Sequence, residues 1–351
     1  AIFARGALAA GLIGLVLWFV QVPVLAVALT LFEGSAEAES LAKTYFHIRV
    51  CSAPAVLLNY CLIGWFIGRQ NTRAVLYVQV LMNGLNIVLD LYFVLGLDWG
   101  VAGVAWATLI SEVIAAAAGL YLYQRNLRST DPDGQRGDIW AVEKIRHMFA
   151  INLDIFIRTL SLLFAFSFFT AQASRFGDVT IAAHLVLIQF QVFLACGLDG
   201  FAQAAEALVG GSIGSKNRPA VRNAVIVSTK WAGGIAACCA GIYFLTGPHI
   251  IQLLTSISEV QAVANNFLIW VIISPLISVW SFQLDGIFIG ATRSKEMRNG
   301  MIVSLTIFVA AAFILKESFG YGGIWLAFIL FMTARAVTLA VCYPRIERDA
   351  I

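Results

Sequence analysis

Long uninterrupted apolar runs are the feature that most limits what this chain can fold into. Each run is about 20 residues or longer, enough for an α-helix to cross a bilayer at about 1.5 Å per residue. Only helices and closed barrels satisfy the backbone in lipid, and barrels need short alternating segments instead. The sequence therefore predicts an all-α polytopic membrane protein. The predicted spans are 6–31, 41–67, 74–96, 101–123, 148–173, 179–211, 221–245, 259–291, 299–316 and 322–343.

Composition excludes several other classes of protein. Charged residues make up 12% of the 351 residues, whereas soluble domains carry about twice that fraction. The net charge of +3 requires no nucleic-acid partner. The six cysteines are scattered in apolar runs without a CxxC pair, so we expect neither disulfides nor a metal centre. The sequence contains no HExxH motif and no paired GxGD and YD motifs, so we predict that the protein is not an enzyme and has no cofactor.

The positions of arginine and lysine predict the orientation in the membrane. Most of the 23 basic residues fall in alternate loops, on what is called the basic side below. The basic side is cytoplasmic by the positive-inside rule, which places both ends of this chain inside. We expect a multi-pass protein of the inner (plasma) membrane. The opposite loops contain only Lys43, Arg175 and Lys316.

Two halves of the chain resemble each other. Gly64-Trp-Phe-Ile-Gly68 matches Gly286-Ile-Phe-Ile-Gly290, and Gly100, Gly103 and Ala107 match Gly320, Gly323 and Ala327. Both matches lie at nearly the same offset, about 220 residues, and at the same membrane side, which indicates a parallel repeat. We predict an amino-terminal lobe over 1–123, a cytoplasmic linker over 124–147 and a carboxy-terminal lobe over 148–351. The offset implies that a pair of spans precedes residue 1, making six plus six helices.

Asp90 lies inside an apolar run, where a carboxylate is costly unless it is paired, protonated or in contact with water. Asn86 is four residues earlier and shares its helix face. Thr108 lies at a similar depth on the next span, which a tight turn makes an antiparallel neighbour. This arrangement favours a site that binds and releases a proton or Na⁺, although a structural, hydrogen-bonded aspartate is the alternative. The counterpart of Asp90 in the second half is Ala310, so we expect coupling to be asymmetric.

The second half contains further charges within its spans. Arg158 and Glu206 are candidates to pair with each other, and Asp199 and Asp285 each precede a glycine. A structural ion-pair network and a role with substrate both remain open for these residues. We interpret His184 as a hydrogen-bonded or interfacial histidine rather than a switch.

Local motifs predict how individual spans bend and pack. Pro54 is expected to kink its span, because proline lacks the N–H that a helix interior needs. The two GxxxG motifs, Gly64/Gly68 and Gly286/Gly290, are typical of helices that pack closely in membranes.

Four passages resemble the multidrug and toxic compound extrusion (MATE) transporters, in particular the DNA-damage-inducible F (DinF-like) branch. They are residues 86–90 (NIVLD), 100–108 (GVAGVAWAT), 198–210 (LDGFAQAAEALVG) and 284–293 (LDGIFIGATR). The resemblance covers the chain as family helices three to twelve. It implies two six-helix lobes and a coupling site made by Asp90, Asn86, Thr108 and Tyr45. The aspartate that the family also carries on its first helix has no counterpart in this sequence.

The resemblance implies a secondary active antiporter. It would export organic, often cationic amphiphilic compounds in exchange for H⁺ or Na⁺ by alternating access, as a monomer in the lipid bilayer. Beyond the coupling ion, with Na⁺ placed at Asp90 if it is used, no metal or cofactor is expected. A lipid-linked oligosaccharide flippase of the same superfamily and an inactive fragment remain the alternatives.

Overall fold

The computed structural model describes residues 2–32, 36–130 and 140–349, and these are almost entirely helical. A π-helical turn at Leu91–Gly96 follows α4, and a single 3₁₀ turn at Ser174–Phe176 follows α6. The α-helices are α1 (Ile2–Phe32), α2 (Ala36–Cys51), α3 (Ala53–Gly68), α4 (Thr72–Asp90), α5 (Gly100–Thr130), α6 (Val142–Ala173), α7 (Asp178–Gly214), α8 (Arg218–Leu254), α9 (Ser258–Gly290) and α10 (Ser294–Asp349).

The helices confirm the predicted membrane architecture. In the described part of the chain, eight helices are long and apolar enough to cross a membrane, or nine if α2 and α3 form one bent span. The helix α10 also contains a break at Gly320, where φ is 55° and ψ is −135°. Counting its two parts separately gives the ten predicted spans.

Several helices extend past the predicted limits, because a helix satisfies its backbone equally well after it leaves the apolar layer. Helix α5 continues to Thr130, and α6 begins at Val142. The helices therefore take up both ends of the segment predicted as a linker over 124–147. Its central residues 131–139 lie outside the described residues.

The bend between α2 and α3 is the kink predicted at Pro54. The two helices meet at 50°. Pro54 occupies the first turn of α3, where its missing N–H leaves no helical hydrogen bond broken. The hydroxyl of Ser52 accepts a hydrogen bond from Arg49 Nη1 at 2.9 Å and donates one to the Arg49 carbonyl at 2.8 Å. The bend therefore contains a buried serine whose hydroxyl is hydrogen-bonded to Arg49.

The backbone supports the internal repeat. Gly100 and Gly320 both have positive φ, 53° and 55°, a conformation that L-residues other than glycine rarely adopt. One turn later, a Cβ on Gly103 would lie 3.1 Å from the Phe93 side chain, and one on Gly323 would lie 2.2 Å from the Leu315 carbonyl oxygen. Two spans therefore reverse direction in the same way in each half.

The chain divides into two compact units, residues 1–145 and 146–351. The second unit contains a large aromatic core in which the Phe169 and Phe328 rings stack at 4.6 Å. His184 is fully buried in this core and bonds the Tyr321 hydroxyl at 2.9 Å, as expected for a satisfied histidine. The core of the first unit is smaller and is centred on Leu62 and Phe66.

The two GxxxG motifs differ in their packing. A Cβ on Gly286 would lie 2.1 Å from the Ala202 carbonyl oxygen, and one on Gly290 would lie 2.5 Å from the Glu206 carbonyl oxygen. This motif therefore holds α9 directly against the backbone of α7, as predicted. Gly64 and Gly68 have nothing within 4 Å of an added Cβ. The prediction of close packing was wrong for this motif, because no described helix approaches that face of α3.

Candidate functional site

Asp90 is the last residue of α4 and stands directly before the π-helical turn. Its side chain is half-buried, and its Oδ1 atom is fully buried without a hydrogen-bond partner among the described residues. A π-helical turn inside a helix is rare and is frequently found at functional sites. The structure thus places a carboxylate oxygen without a partner next to an unusual backbone feature.

Asn86 and Thr108 are in contact. Asn86 Nδ2 donates to Thr108 Oγ1 at 3.2 Å, and Thr108 Oγ1 donates to the Val104 carbonyl at 2.9 Å. The short connection between α4 and α5 makes these helices antiparallel neighbours, which brings the two side chains to the same depth. Asp90 lies one helical turn beyond Asn86 on the same face. These three residues therefore form one polar cluster at the end of the α4/α5 hairpin.

Tyr45 is the fourth residue predicted for the coupling site. It is on α2, is 39% exposed, and makes no hydrogen bond to Asp90, Asn86 or Thr108 in the described structure. Its electrostatic partner is Arg49, one turn further along the same helix. The assignment of all four residues to one coupling site stays a prediction, because only Asn86 and Thr108 are in direct contact and Asp90 is placed beside them by helical spacing.

A largely buried ion pair connects α2 to α5 in the first unit, and it was not predicted from the sequence. Arg49 Nη1 and Nη2 donate to the two carboxylate oxygens of Glu112 at 2.8 and 3.0 Å. Asn59 Nδ2 donates to the Glu112 carbonyl at 2.9 Å. Glu112 follows Thr108 by one turn of α5, and Arg49 follows Tyr45 by one turn of α2. The only signal in the sequence was two opposite charges in separate apolar spans.

The second unit contains a buried cluster of two arginines and one aspartate. Asp285 Oδ2 accepts hydrogen bonds from Arg158 and from Arg335, the latter at 2.7 Å. Arg335 is only 2% exposed, and its guanidinium also lies over the ring of Phe331, 5.6 Å from the centroid. Asp199 is near enough to interact electrostatically with all three charged residues. Arg158, Arg335 and Asp285 thus form an ion-pair network in this unit, which leaves a role with substrate open.

The predicted pairing of Arg158 with Glu206 is wrong. Arg158 pairs with Asp285, and Glu206 has no ion pair within the described ranges. Glu206 instead lies where the α7 backbone meets Gly290 of α9, two turns beyond Asp199. Helices α7 and α9 approach closely, so Asp285 of α9 is available to the Arg158 guanidinium. Asp285 therefore forms the ion pair that was expected for Glu206 of α7.

A second ion pair that sequence reasoning missed joins α6 to the start of α10. Asp154 is 4% exposed. It accepts hydrogen bonds from Ser294 Oγ at 2.9 Å and from Arg298 Nη1 at 2.5 Å. The partners are 140 or more residues apart in sequence, so no local pattern predicts the contact.

The second unit has no copy of the Asp90 cluster at the equivalent positions. Ala310, Thr306 and Phe328 are the counterparts of Asp90, Asn86 and Thr108 by the repeat. Thr306 bonds the Ile302 carbonyl of its own helix, and Phe328 is fully buried in the aromatic core. Polar chemistry of this kind is therefore confined to the first unit, as far as the described residues extend.

Long apolar helices with buried charges define a polytopic membrane protein. Comparison with known proteins then gives the family. A sequence model of the MatE family matches residues 1–92 and 155–315. The chain belongs to this family, so it is a membrane transporter and not an enzyme.

Individual relatives agree with this assignment. The chain is 36% identical to DNA damage-inducible protein F of Escherichia coli over 336 residues, which cover 96% of this chain and 73% of that protein. It is 24% identical to the multidrug export protein MepA of Staphylococcus aureus over 325 residues, 89% of this chain and 69% of MepA. A crystal structure of MATE in complex with MaD5 matches the fold with a TM-score of 0.89 at 21% identity, covering 99% of this chain and 78% of that one.

Proposed function

We propose that the protein is a secondary active exporter of organic, often cationic amphiphilic compounds, driven by the inward flow of H⁺ or Na⁺. Membership of the MatE family supports the transport class. The name of the relative MepA, a multidrug export protein, supports the substrate class. We also propose that it acts as a monomer in the plasma membrane with its basic side in the cytoplasm, because basic loops are retained on the inside.

The partnerless Oδ1 of Asp90 is the single observation that carries the coupling proposal. A buried carboxylate without a counter-charge is costly, so Asp90 gains stability when it binds a cation. Asn86 and Thr108 hold each other in place beside it, which leaves Asp90 as the group whose state changes. Binding of the cation from outside would neutralise the site, and release to the inside would restore the charge.

The two coupling ions make different demands on this site. A proton needs only one carboxylate oxygen, which Asp90 supplies. A sodium ion needs several oxygen ligands, but Thr108 Oγ1 already takes part in two hydrogen bonds, with Asn86 Nδ2 and with the Val104 carbonyl. We therefore propose H⁺ as the main coupling ion, with Na⁺ as the competing possibility that the experiment must separate.

We predict that Asp90→Asn abolishes ion-driven export. The amide keeps the shape of the side chain but binds neither a proton nor Na⁺ as a carboxylate does. The measurement is efflux of a fluorescent organic cation from proteoliposomes, with a pH gradient in one arm and a Na⁺ gradient in the other. The wild-type protein should respond to the pH gradient and the variant to neither.

Asp98→Asn is the matched control. The substitution makes the same chemical change in the exposed turn that follows the π-helical turn. The φ of Asp98 is 56°, which asparagine tolerates. This variant should retain wild-type efflux in both arms. Undiminished pH-driven efflux by Asp90→Asn would rule out Asp90 as the coupling group.

A further inference from the structure

The first unit contains a basic cleft where the hairpin of α4 and α5 opens at the basic side of the membrane. Its volume is about 770 Å³. Asn71, Arg73 and Tyr77 line it from the start of α4, and Tyr121, Arg125 and Asn126 line it from the end of α5. Asn71 Nδ2 donates to Asn126 Oδ1 at 3.2 Å, which ties the two helix ends together. The cleft is thus formed by the two helices of the hairpin, whose ends are joined by a hydrogen bond.

The charge in this cleft is positive and uncompensated. Arg73 and Arg125 are both exposed, and neither forms an ion pair in the part of the chain that the structure describes. The described residues that line the cleft include no aspartate or glutamate. Two guanidiniums therefore face one concave space, together with the phenol groups of Tyr77 and Tyr121.

The repeat supplies an internal comparison. In the second unit, Lys295 and Arg345 lie at the matching helix ends, and they line a cleft of about 430 Å³. Asp154 and Glu296 line that second cleft as well, and they pair with Arg298 and Arg293. The positive-inside rule explains why both clefts have basic residues. It does not explain why the described lining of the second cleft includes carboxylates and that of the first does not.

We propose that the cleft of the first unit binds the phosphate group of an anionic phospholipid. Guanidinium groups bind phosphate oxygens in pairs, and basic pockets between helices on this side of a membrane suit lipid head groups. Tyrosine is favoured at the depth where head groups lie. Ala74 and Leu122 give the same cleft an apolar wall for the glycerol end of the acyl chains. This site is separate from the coupling cluster and does not depend on the proposed direction of transport.

The test compares lipid binding by the purified protein and by the double variant Arg73→Gln/Arg125→Gln. Dissociation constants are measured in detergent for dioctanoyl phosphatidylglycerol, dioctanoyl phosphatidylcholine and inorganic phosphate. Each basic group near an anionic lipid contributes about fivefold in affinity. We expect the double variant to bind phosphatidylglycerol at least tenfold more weakly and to keep its thermal unfolding midpoint.

Lys144→Gln/Arg146→Gln is the matched control, because it removes the same charge from the basic side without touching either cleft. It should bind phosphatidylglycerol like the wild type. An equal loss in both double variants, or equal affinity for phosphatidylcholine, would overturn the proposal. Inorganic phosphate that binds as tightly as phosphatidylglycerol would overturn the lipid assignment and identify a free anion as the ligand.

Discussion

Three buried carboxylates of this protein are neutralised by arginines, whereas Asp90 has no such partner among the described residues. Glu112 pairs with Arg49, Asp154 with Arg298, and Asp285 with two arginines. Breaking such an ion pair is energetically costly, so a paired carboxylate is poorly suited to binding and releasing a cation repeatedly. Asp90 has one oxygen without a partner. The paired carboxylates therefore hold the fold, whereas a carboxylate without an ion pair in the described chain, such as Asp90 or Glu206, keeps the capacity to bind a cation.

We predict that Glu112→Gln destabilises the protein by about 2–3 kcal/mol. The substitution leaves the Arg49 guanidinium without its counter-charge in a mostly buried position, and breaking such a pair is costly. The double variant Arg49→Met/Glu112→Leu should recover most of this loss, because apolar side chains of similar volume need no charge partner. Thermal unfolding in detergent measures both effects.

Glu39→Gln is the control for the loss of a charge on the neighbouring surface. Glu39 pairs with Lys43 at 3.8 Å in an exposed position, so its replacement should change stability by less than about 0.5 kcal/mol. If Glu112→Gln and Glu39→Gln destabilise equally, the Arg49–Glu112 pair has no special role in stability.

At the scale of helices, apolar runs and single motifs predicted most of the fold. The spans, the bend at Pro54 and the reversal at Gly320 follow from local chemistry, because each depends on residues close in sequence. Packing between distant helices was harder to predict. Gly64/Gly68 and Gly286/Gly290 are equivalent motifs, yet only the second contacts another helix in the described chain. A motif shows that close approach is permitted, and the neighbouring helix decides whether it occurs.

We predict that Gly286→Ala destabilises the protein by about 3 kcal/mol or more, whereas Gly64→Ala does not. A Cβ at 286 would overlap a backbone oxygen of α7, and a helix backbone cannot yield as a side chain does. At 64 the added methyl group meets open space and should even stabilise the helix slightly. Unfolding midpoints of the two single variants provide the comparison. Equal midpoints would mean that α9 does not depend on its contact with α7.

The same distinction applies to the candidate site. The neighbours Asn86 and Thr108 were predictable, because one tight turn joins their helices and only 22 residues separate them. The partner of Arg158 was not, since Asp285 lies 127 residues away and the choice between it and Glu206 depends on how α7 packs against α9. Sequence spacing determines contacts within a hairpin. Contacts between hairpins depend on the packing of whole helices.

At the scale of the whole molecule, the repeat combines similar backbones with different chemistry. The first unit has Asp90, Asn86 and Thr108 where the second has an alanine, a threonine bonded to its own helix and a buried phenylalanine. The second unit fills the equivalent region with aromatic rings. The two halves therefore share backbone features but carry different side chains at these equivalent positions.

We predict that Asn86→Ala weakens ion-driven efflux at least tenfold, whereas Thr306→Ala leaves it unchanged. Asn86 holds Thr108 beside Asp90, and its counterpart Thr306 has no carboxylate to support. The initial rate of pH-driven efflux in proteoliposomes measures the difference, after equal incorporation is verified. A comparable loss in Thr306→Ala would contradict the asymmetry between the units.

The repeat is also visible in backbone angles, including at positions where the side chains differ. Gly100 and Gly320 share one unusual conformation, and so do Gln70 and Thr292, with φ of 57° and 55°. The second pair has no residue type in common and tolerates a conformation costing about 1–2 kcal/mol for residues other than glycine. Turn geometry has thus survived where identity diverged. In this protein, backbone conformation therefore matches a pair of turns that residue identity alone does not match.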